Sequence, residues 1–372
     1  MKKIFNNILL ACLLLGVAGT AGAQGLTSLP SGGNKRASVS EQVGLTNVNI
    51  VYSRPKVKGR DGKIWGGLIP AGYTDQGFGT SKAAPWRAGA NENTTIEFST
   101  DVKIEGQPLA AGKYGFFIDY EPAECTLIFS KNSSSWGSFF YKPEEDALRV
   151  KVKAVPAEKS VEWLKYEFAD ETTSGATVQL QWEKLMISFK IETDVVKNQL
   201  AIFRNELRSD KGFTWETWDQ AAAYCAQNKT NLEEGLMWAD TATSVNFGGS
   251  QSFQAWSTKA TVLDSLGRNA EATQVMKKAL PYGSVNDLYF YARTLTKAKK
   301  GKEAFEIFKI NYNKNPNDFL AVAGMARGYS AIGDYKKALT FAQKGKAIAP
   351  GQPNKDTMDT FIKKLSDGKD VN

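Results

Sequence analysis

The sequence predicts a multidomain chain: an N-terminal all-β antiparallel sandwich followed by a C-terminal all-α array of helical repeats. Three observations carry that reading. From about residue 38 to residue 192 apolar and polar residues alternate with a period of two. From Asp194 the period becomes that of a helix. In the last third of the chain, residue types recur 34 positions apart. A length of 372 residues suits two domains. With 42% hydrophobic and 23% charged residues, the chain has the balance of an ordinary folded protein.

Taken in order, residues 1–23 have the layout of a secretory leader. Lys2 and Lys3 supply the positive start, residues 8–15 a short apolar core, and Ala21-Gly22-Ala23 a cleavage site before Gln24. The protein is therefore expected to be exported, periplasmic or secreted. Cys12 suggests a lipoprotein leader instead, but the apolar core runs on past it. No other stretch has the length and apolarity to span a bilayer. Residues 24–37, rich in Gly, Ser and Pro, read as a flexible arm.

Strands follow over residues 38–192. Val48, Ile50 and Tyr52 alternate with Asn47, Asn49 and Val51, and Ile96 and Phe98 with Thr95 and Glu97. Further strand-like runs lie at 113–120, 126–130, 148–154, 161–169 and 177–182. The last is expected to turn at Glu183-Lys184 and return as 185–191, a hairpin. Glu105-Gly106 and Ser174-Gly175 punctuate the runs. Many short alternating strands indicate an antiparallel sandwich rather than a parallel α/β sheet.

Residues 193–212 form a connecting helix, with Val195, Val196, Leu200, Ile202, Phe203 and Leu207 at helical spacing. Residues 213–372 are helices and short turns. Leu288, Tyr291, Ala292, Leu295, Ala304, Phe308 and Pro316 have counterparts 34 residues on in Val322, Met325, Ala326, Tyr329, Ala338, Ala342 and Pro350. Small residues recur where two helices cross, and proline recurs after the second helix. This resembles the tetratricopeptide repeat. Trp256, Ala260, Leu263, Gly267, Ala272 and Ala279 fit an earlier copy, two residues shorter. Residues 215–227 and 232–245 form a more degenerate pair, and residues 356–365 a capping helix. In tetratricopeptide arrays the first helix of each pair lines the concave face. Arg293 and Arg327 share one repeat position and Tyr289 lies a turn earlier, so Tyr289, Arg293 and Arg327 are candidate partner-binding residues that would grip a carboxylate.

In the β domain a second resemblance is carried by Tyr52-Ser53-Arg54-Pro55, Lys58-Gly59-Arg60, Ile64-Trp65-Gly66, Leu68 and Pro70. It continues through residues 86–95, which begin Trp86-Arg87-Ala88-Gly89, then Ala111-Gly112-Lys113-Tyr114, Phe129-Ser130-Lys131-Asn132, Trp136-Gly137 and Asp146-Ala147-Leu148-Arg149-Val150. Together these resemble domain of unknown function 2911, found mainly in Bacteroidota, over about residues 38–191. The resemblance implies an exported protein, often with tetratricopeptide-type repeats following. It implies no established activity. Residues 72–85 are longer than the resemblance leads one to expect and read as a Gly-rich loop before Trp86.

Composition narrows the chemistry. With no histidine, Ser-His-Asp and Cys-His catalysis are excluded, as are histidine-ligated metals. Without the leader, Cys125 and Cys225 remain, too few for a thiolate metal site, so no metal or cofactor is expected; both read as buried free thiols. Removing Lys2 and Lys3 from the 47 basic residues leaves 45 against 39 acidic, a mild and scattered excess that does not point to nucleic acid. Arg54, Arg60, Trp65, Trp86, Arg87 and Asn91, with Lys56, Lys58 and Lys63 beside them, are the candidate ligand-binding residues. Arginine forks grip carboxylate or phosphate and indole faces stack on sugars, so the ligand class is a small anion or a saccharide. The alternative role for the two indoles is packing in the core. The overall reading is an exported, non-enzymatic binding or scaffold protein. Its repeats would bind a protein or peptide, and its β domain would bind a ligand or dock the array. The alternative is a carbohydrate-active hydrolase using Asp and Glu alone, drawn from Asp61, Asp75, Glu92, Glu97 and Asp101.

Overall fold

The computed structural model describes residues 33–372. The expected leader, 1–23, and residues 24–32 of the expected arm lie outside the described residues. The chain divides at Val195/Val196 into two compact units.

The first unit holds two antiparallel sheets. One has six strands in the order β1 (Lys35–Val43), β2 (Thr46–Arg54), β3 (Thr94–Phe98), β6 (Gly112–Asp119), β7 (Cys125–Ser130), β8 (Asp146–Val152). The other has four, β5 (Gln107–Leu109), β4 (Val102–Ile104), β10 (Gly175–Thr193), β9 (Ala154–Ala169). Alternation decides which face is buried. On β2, Val48, Ile50 and Tyr52 point into the core while Asn47 is exposed. The inner faces meet through aromatic rings: Phe116 of β6 lies 5.6 Å from Phe189 of β10, and Phe129 of β7 lies 6.0 Å from Phe189. This is an antiparallel sandwich with one continuous apolar core.

Two local expectations are corrected. Lys35, Arg36 and Ala37 are strand, paired with Arg54, Ser53 and Tyr52, so the arm gives way to β1 sooner than its composition suggests. β1 is an edge strand, and the charged and polar residues that protect an edge also mask its alternation. The expected hairpin at Glu183-Lys184 is absent, and residues 175–193 form a single strand. Ala176, Val178, Leu180 and Trp182 face inward before Glu183, and Ile187, Phe189 and Ile191 after it. The inward phase changes from even to odd across an irregularity with Glu183 at φ 53°, where the register shifts between two stretches that both pair with β9. A change of phase within one strand and a two-residue turn leave the same trace in sequence.

The second unit is an array of ten helices: α1 (Val195–Glu206), α2 (Trp215–Asn228), α3 (Leu232–Ala242), α4 (Phe253–Ser265), α5 (Asn269–Ala279), α6 (Val285–Lys297), α7 (Gly301–Lys314), α8 (Phe319–Ala331), α9 (Tyr335–Ala347) and α10 (Gln352–Ser366). The starts of α6 and α8, and of α7 and α9, are 34 residues apart. Ala292, Ala304, Ala326 and Ala338 are fully buried at the crossings, where a larger side chain would hold the helices apart. Helix starts are set by side chains. Ser252, Ser284, Asp318 and Asp334 each accept from the first turn of the helix that follows, and Ser284 with Asp287 completes a capping box. α1 is more than a connector: Leu200 is buried with α2 and α3, Phe203 meets Tyr224, and Arg204 grips Glu234 through two bonds of 2.7 Å.

Helices pack closely within each pair and along most of the stack. First helices of neighbouring pairs pack together, α2 with α4 and α6 with α8, more closely than successive second helices do, the pattern expected where first helices line the inner side of a repeat array. The stacking loosens between α5 and α6. There the helices of one pair do not pack along those of the next, Phe253 and Tyr291 border the cores on both sides, and a cleft of about 740 Å³ remains.

Candidate functional site

The connection between β2 and β3, residues 55–93, is too long for a hairpin and folds over one end of the sandwich through a series of turns. Three of its non-glycine residues, Lys58, Ala88 and Asn91, adopt positive φ. The segment is pinned at both ends. Arg54 Nε donates to Leu164 O at 2.8 Å, and Trp86 exchanges two backbone hydrogen bonds with Ile118. Between these anchors opens a cleft of about 760 Å³.

Cations dominate its lining: Lys56, Lys58, Arg60 and Arg87. The carboxylate among them is Asp75. A backbone hydrogen bond from Gly77 and the Lys82 ammonium, 3.0 Å away, hold that carboxyl below its usual range. Asn34, Gln76 and Asn91 add amides, and Trp86 and Trp182 add indole surface. The Trp86 and Trp182 rings stack with centroids 6.2 Å apart. Trp86 Nε1 donates to Gly89 O, but Trp182 Nε1 is buried with no hydrogen-bond partner among the described residues.

Arg87 is the most constrained of the cations. Its Nη1 donates to Asn91 O at 2.8 Å, its Nη2 reaches Gln76 Oε1 at 3.5 Å, and its guanidinium lies 4.9 Å from the Phe139 ring. Burial pushes the guanidinium below its ordinary pKa. No ion pair holds Arg87 among the described residues, so a half-buried charge faces the cleft without a counterion. Gly137, at φ 69°, makes room for it: a Cβ there would collide with the guanidinium.

Of the six residues expected to bind ligand, Arg60, Trp86, Arg87 and Asn91 line this cleft. Arg54 and Trp65 stand behind it. Arg54 lies against the Trp163 ring, and Trp65 packs edge-on to Trp86 and Trp182 and donates to Trp182 O. Arg60 is itself committed in part, donating to Val57 O and Lys56 O. Trp182, Asn34 and Gln76 were not expected. For Trp182 the inward phase of β10 was the available signal; Asn34, just before β1, and Gln76, within the 55–93 connection, sit in stretches without a period and leave none.

A second polar group lies on the sheet face away from the core. Tyr141 Oη and Arg149 Nε both donate to Asp146 Oδ2 at 2.7 Å. Burial pushes the carboxyls of Asp146 and Asp119 above the usual range, and Oδ1 of each is buried without a hydrogen-bond partner among the described residues.

In the array, Tyr289 and Arg293 lie on α6 and Arg327 on α8. Arg327 Nε donates to Tyr289 Oη at 3.1 Å, joining two first helices, and Arg293 lies 5.8 Å from the Tyr289 ring. Among the described residues no helix is long and apolar enough to cross a membrane, and no three His, Cys, Asp or Glu residues are grouped as metal ligands. Cys125 and Cys225 are buried and free, and burial pushes the Cys225 thiol up to about 11.

No curated protein matches this sequence. Solved structures similar to part of it include YrrB, described as a TPR protein with an unusual peptide-binding site (18% identity, 45% of this chain and 86% of that one, TM-score 0.30). MamA is similar at 12% identity over 41% of this chain and 82% of that one, TM-score 0.30. A putative kinesin light chain of Podosopora anserina with TPR-like repeats is similar at 13% identity over 41% and 85%, TM-score 0.31. Residues 34–191, nearly the whole sandwich from β1 to β10, match the family described as protein of unknown function (DUF2911).

Proposed function

We propose that this is an exported two-part binding protein. Its β domain holds a small carboxylate-bearing saccharide, and its helical array holds a peptide segment of a partner. The observation that carries the first half is Arg87, a half-buried guanidinium facing a cleft of sugar size without a counterion. Guanidinium offers five donors in a planar fork that matches a carboxylate, and a desolvated pair of this kind is worth more than one in water. Trp86 supplies an apolar face for a sugar ring, and Lys56, Lys58 and Arg60 make the surrounding field positive. Binding is favoured over hydrolysis because the lining holds the carboxylate Asp75, already met by Lys82, where glycosidic chemistry asks for a facing pair. The second half is supported by the stacked helix pairs, in which Arg327 of one first helix donates to Tyr289 of another, with Arg293 beside the Tyr289 ring.

Calorimetric titration of the β domain with glucuronate and with glucose tests the reading. Glucuronate should bind at least about tenfold tighter, as a charge-assisted contact of roughly 1.5–3 kcal/mol requires. Arg87→Met should erase the preference while leaving the β-sheet circular dichroism intact. Equal affinity for the two sugars, or none for either, would overturn it.

A further inference from the structure

The site that Tyr289 and Arg327 offer on the first helices of the array already has an occupant. After α10 the chain turns back at Gly368, and residues 370–372 lie across α8. Arg327 Nη1 donates to Val371 O at 3.1 Å, and Ser330 Oγ donates to Asp370 Oδ1 at 2.6 Å. Val371 N donates to Ser330 Oγ, and Asn372 Nδ2 to Arg327 O, each at 3.1 Å. The Val371 side chain is only 5% exposed, set among Ala323, Ala326, Phe361 and Leu365. Arg327 also lies 4.6 Å from the Phe361 ring, so its guanidinium is held on one side by Tyr289, on another by an aromatic face, and on a third by the folded-back segment.

Each of these contacts reads a distinct feature of an extended peptide: a carboxylate by Ser330, a backbone carbonyl by Arg327, a small branched apolar side chain by the alanine-floored pocket, and an amide by the Arg327 carbonyl. That is the grammar of strand-like peptide recognition, with backbone hydrogen bonds for affinity and a pocket for selectivity. The occupant is tethered through residues 367–369. Its hold comes from one buried valine and a few hydrogen bonds, multiplied by an effective concentration on the order of millimolar. A partner segment with better contacts can displace it.

We propose that Tyr289, Arg327 and Ser330 form a peptide site for an extended Asp-Val-Asn-like segment of a partner protein, and that residues 370–372 are its resident competitor. This rests on the reading of the array as a peptide binder and adds which segment it takes and how access is controlled. A partner must carry an acidic residue followed by a small branched apolar one, and it binds in exchange for the chain's own residues.

The probe is a fluorescein-labelled, amidated peptide, Asp-Gly-Lys-Asp-Val-Asn, the sequence of residues 367–372. Its binding is followed by anisotropy against the full chain, against a chain ending at Lys369, and against that shorter chain carrying Arg327→Gln. Circular dichroism verifies that all three keep their helices. The expected result is binding to the shorter chain, at least tenfold weaker binding to the full chain, and loss with Arg327→Gln. A shorter chain that is helical yet does not bind, equal binding to the full and shorter chains, or binding indifferent to Arg327→Gln overturns the proposal. Should the shorter chain lose helix content, the Ser330→Ala plus Asp370→Ala variant of the full chain takes its place; it must bind a peptide with Ala at the Asp370 position better than the native chain does. Capture of an envelope partner separates the two readings. Equal capture by full and shorter chains leaves the array a peptide binder and removes this site from it; no capture by either, with the peptide result intact, removes the partner and keeps the site.

Discussion

Single residues in the β domain show how far a side chain's surroundings can set its chemistry. Arg87 sits where it does because Gly137 has no side chain and holds a left-handed backbone that other residues adopt with strain. Asp119 is the opposite case, a carboxyl drawn into the protein with Oδ1 left without a partner among the described residues. Burial pushes its pKa up from 3.8, so the folded chain takes up its proton more readily than the unfolded chain. The contribution to stability is complete below the unfolded value and is lost as pH rises through the folded one. Asp119→Asn removes a desolvated charge at neutral pH and nothing below the unfolded value. Thermal melts between pH 3 and pH 8 should show the variant more stable than the parent at pH 7 and equal to it near pH 3. A variant less stable at pH 7, or a gap that widens on acidification, contradicts this account. The arginine proposed for the ligand site was legible in sequence from its company, Trp86 and Asn91 on a Gly-punctuated loop. The raised carboxyls were not, because Asp119 alternates with buried residues like any outward strand position.

At the level of elements, the sequence spoke most clearly where one period ran unbroken. The repeats from Leu288 onward were readable because identical spacing placed Ala292 and Ala326, then Ala304 and Ala338, at equivalent crossings. The short β4 and β5 left no alternation to read, since three residues each cannot establish a period. The irregularity at Glu183 was read as a turn for the reason given above, and only pairing to β9 distinguishes the two. Helix starts are testable one at a time. Ser284 accepts from Asp287 N at 3.2 Å while Asp287 accepts from Ser284 N at 3.0 Å, so both partners of the box are engaged. Ser284→Ala should lower stability by about 1 kcal/mol, the usual loss for an N-cap. Urea melts of the helical unit measure it, and a change under a few tenths of that value would mean the start of α6 is fixed by packing alone.

For the whole molecule, two facts of composition govern behaviour. With no histidine, the protein has no side chain whose ordinary titration lies between pH 5 and 8, so its net charge holds steady across that range. Its export is a proposal resting on the pattern Ala21-Gly22-Ala23 after a short apolar core. Mass spectrometry of protein recovered from the producing cell's envelope should find Gln24 at the amino end; a chain that keeps Lys2 and Lys3, or begins at a lipid-bearing Cys12, would place it elsewhere. The two architectures were legible because period two and period 3.6 are hard to confuse over 150 residues. The self-occupied peptide site was not, because Asp370, Val371 and Asn372 follow the last helix with no period at all, and their meaning depends on a fold-back that spacing does not encode.

The loosened stacking between α5 and α6 has a mechanical consequence. A linear array behaves as a chain of coupled units, and its resistance to being pulled apart is that of its weakest coupling. Here that coupling lies at residues 280–284, where the cores on either side share little beyond Phe253 and Tyr291. Tension along the array would open it at this joint first. Each block would keep its own interior, so the protein yields there as a fuse does, by parting at one place and sparing the rest.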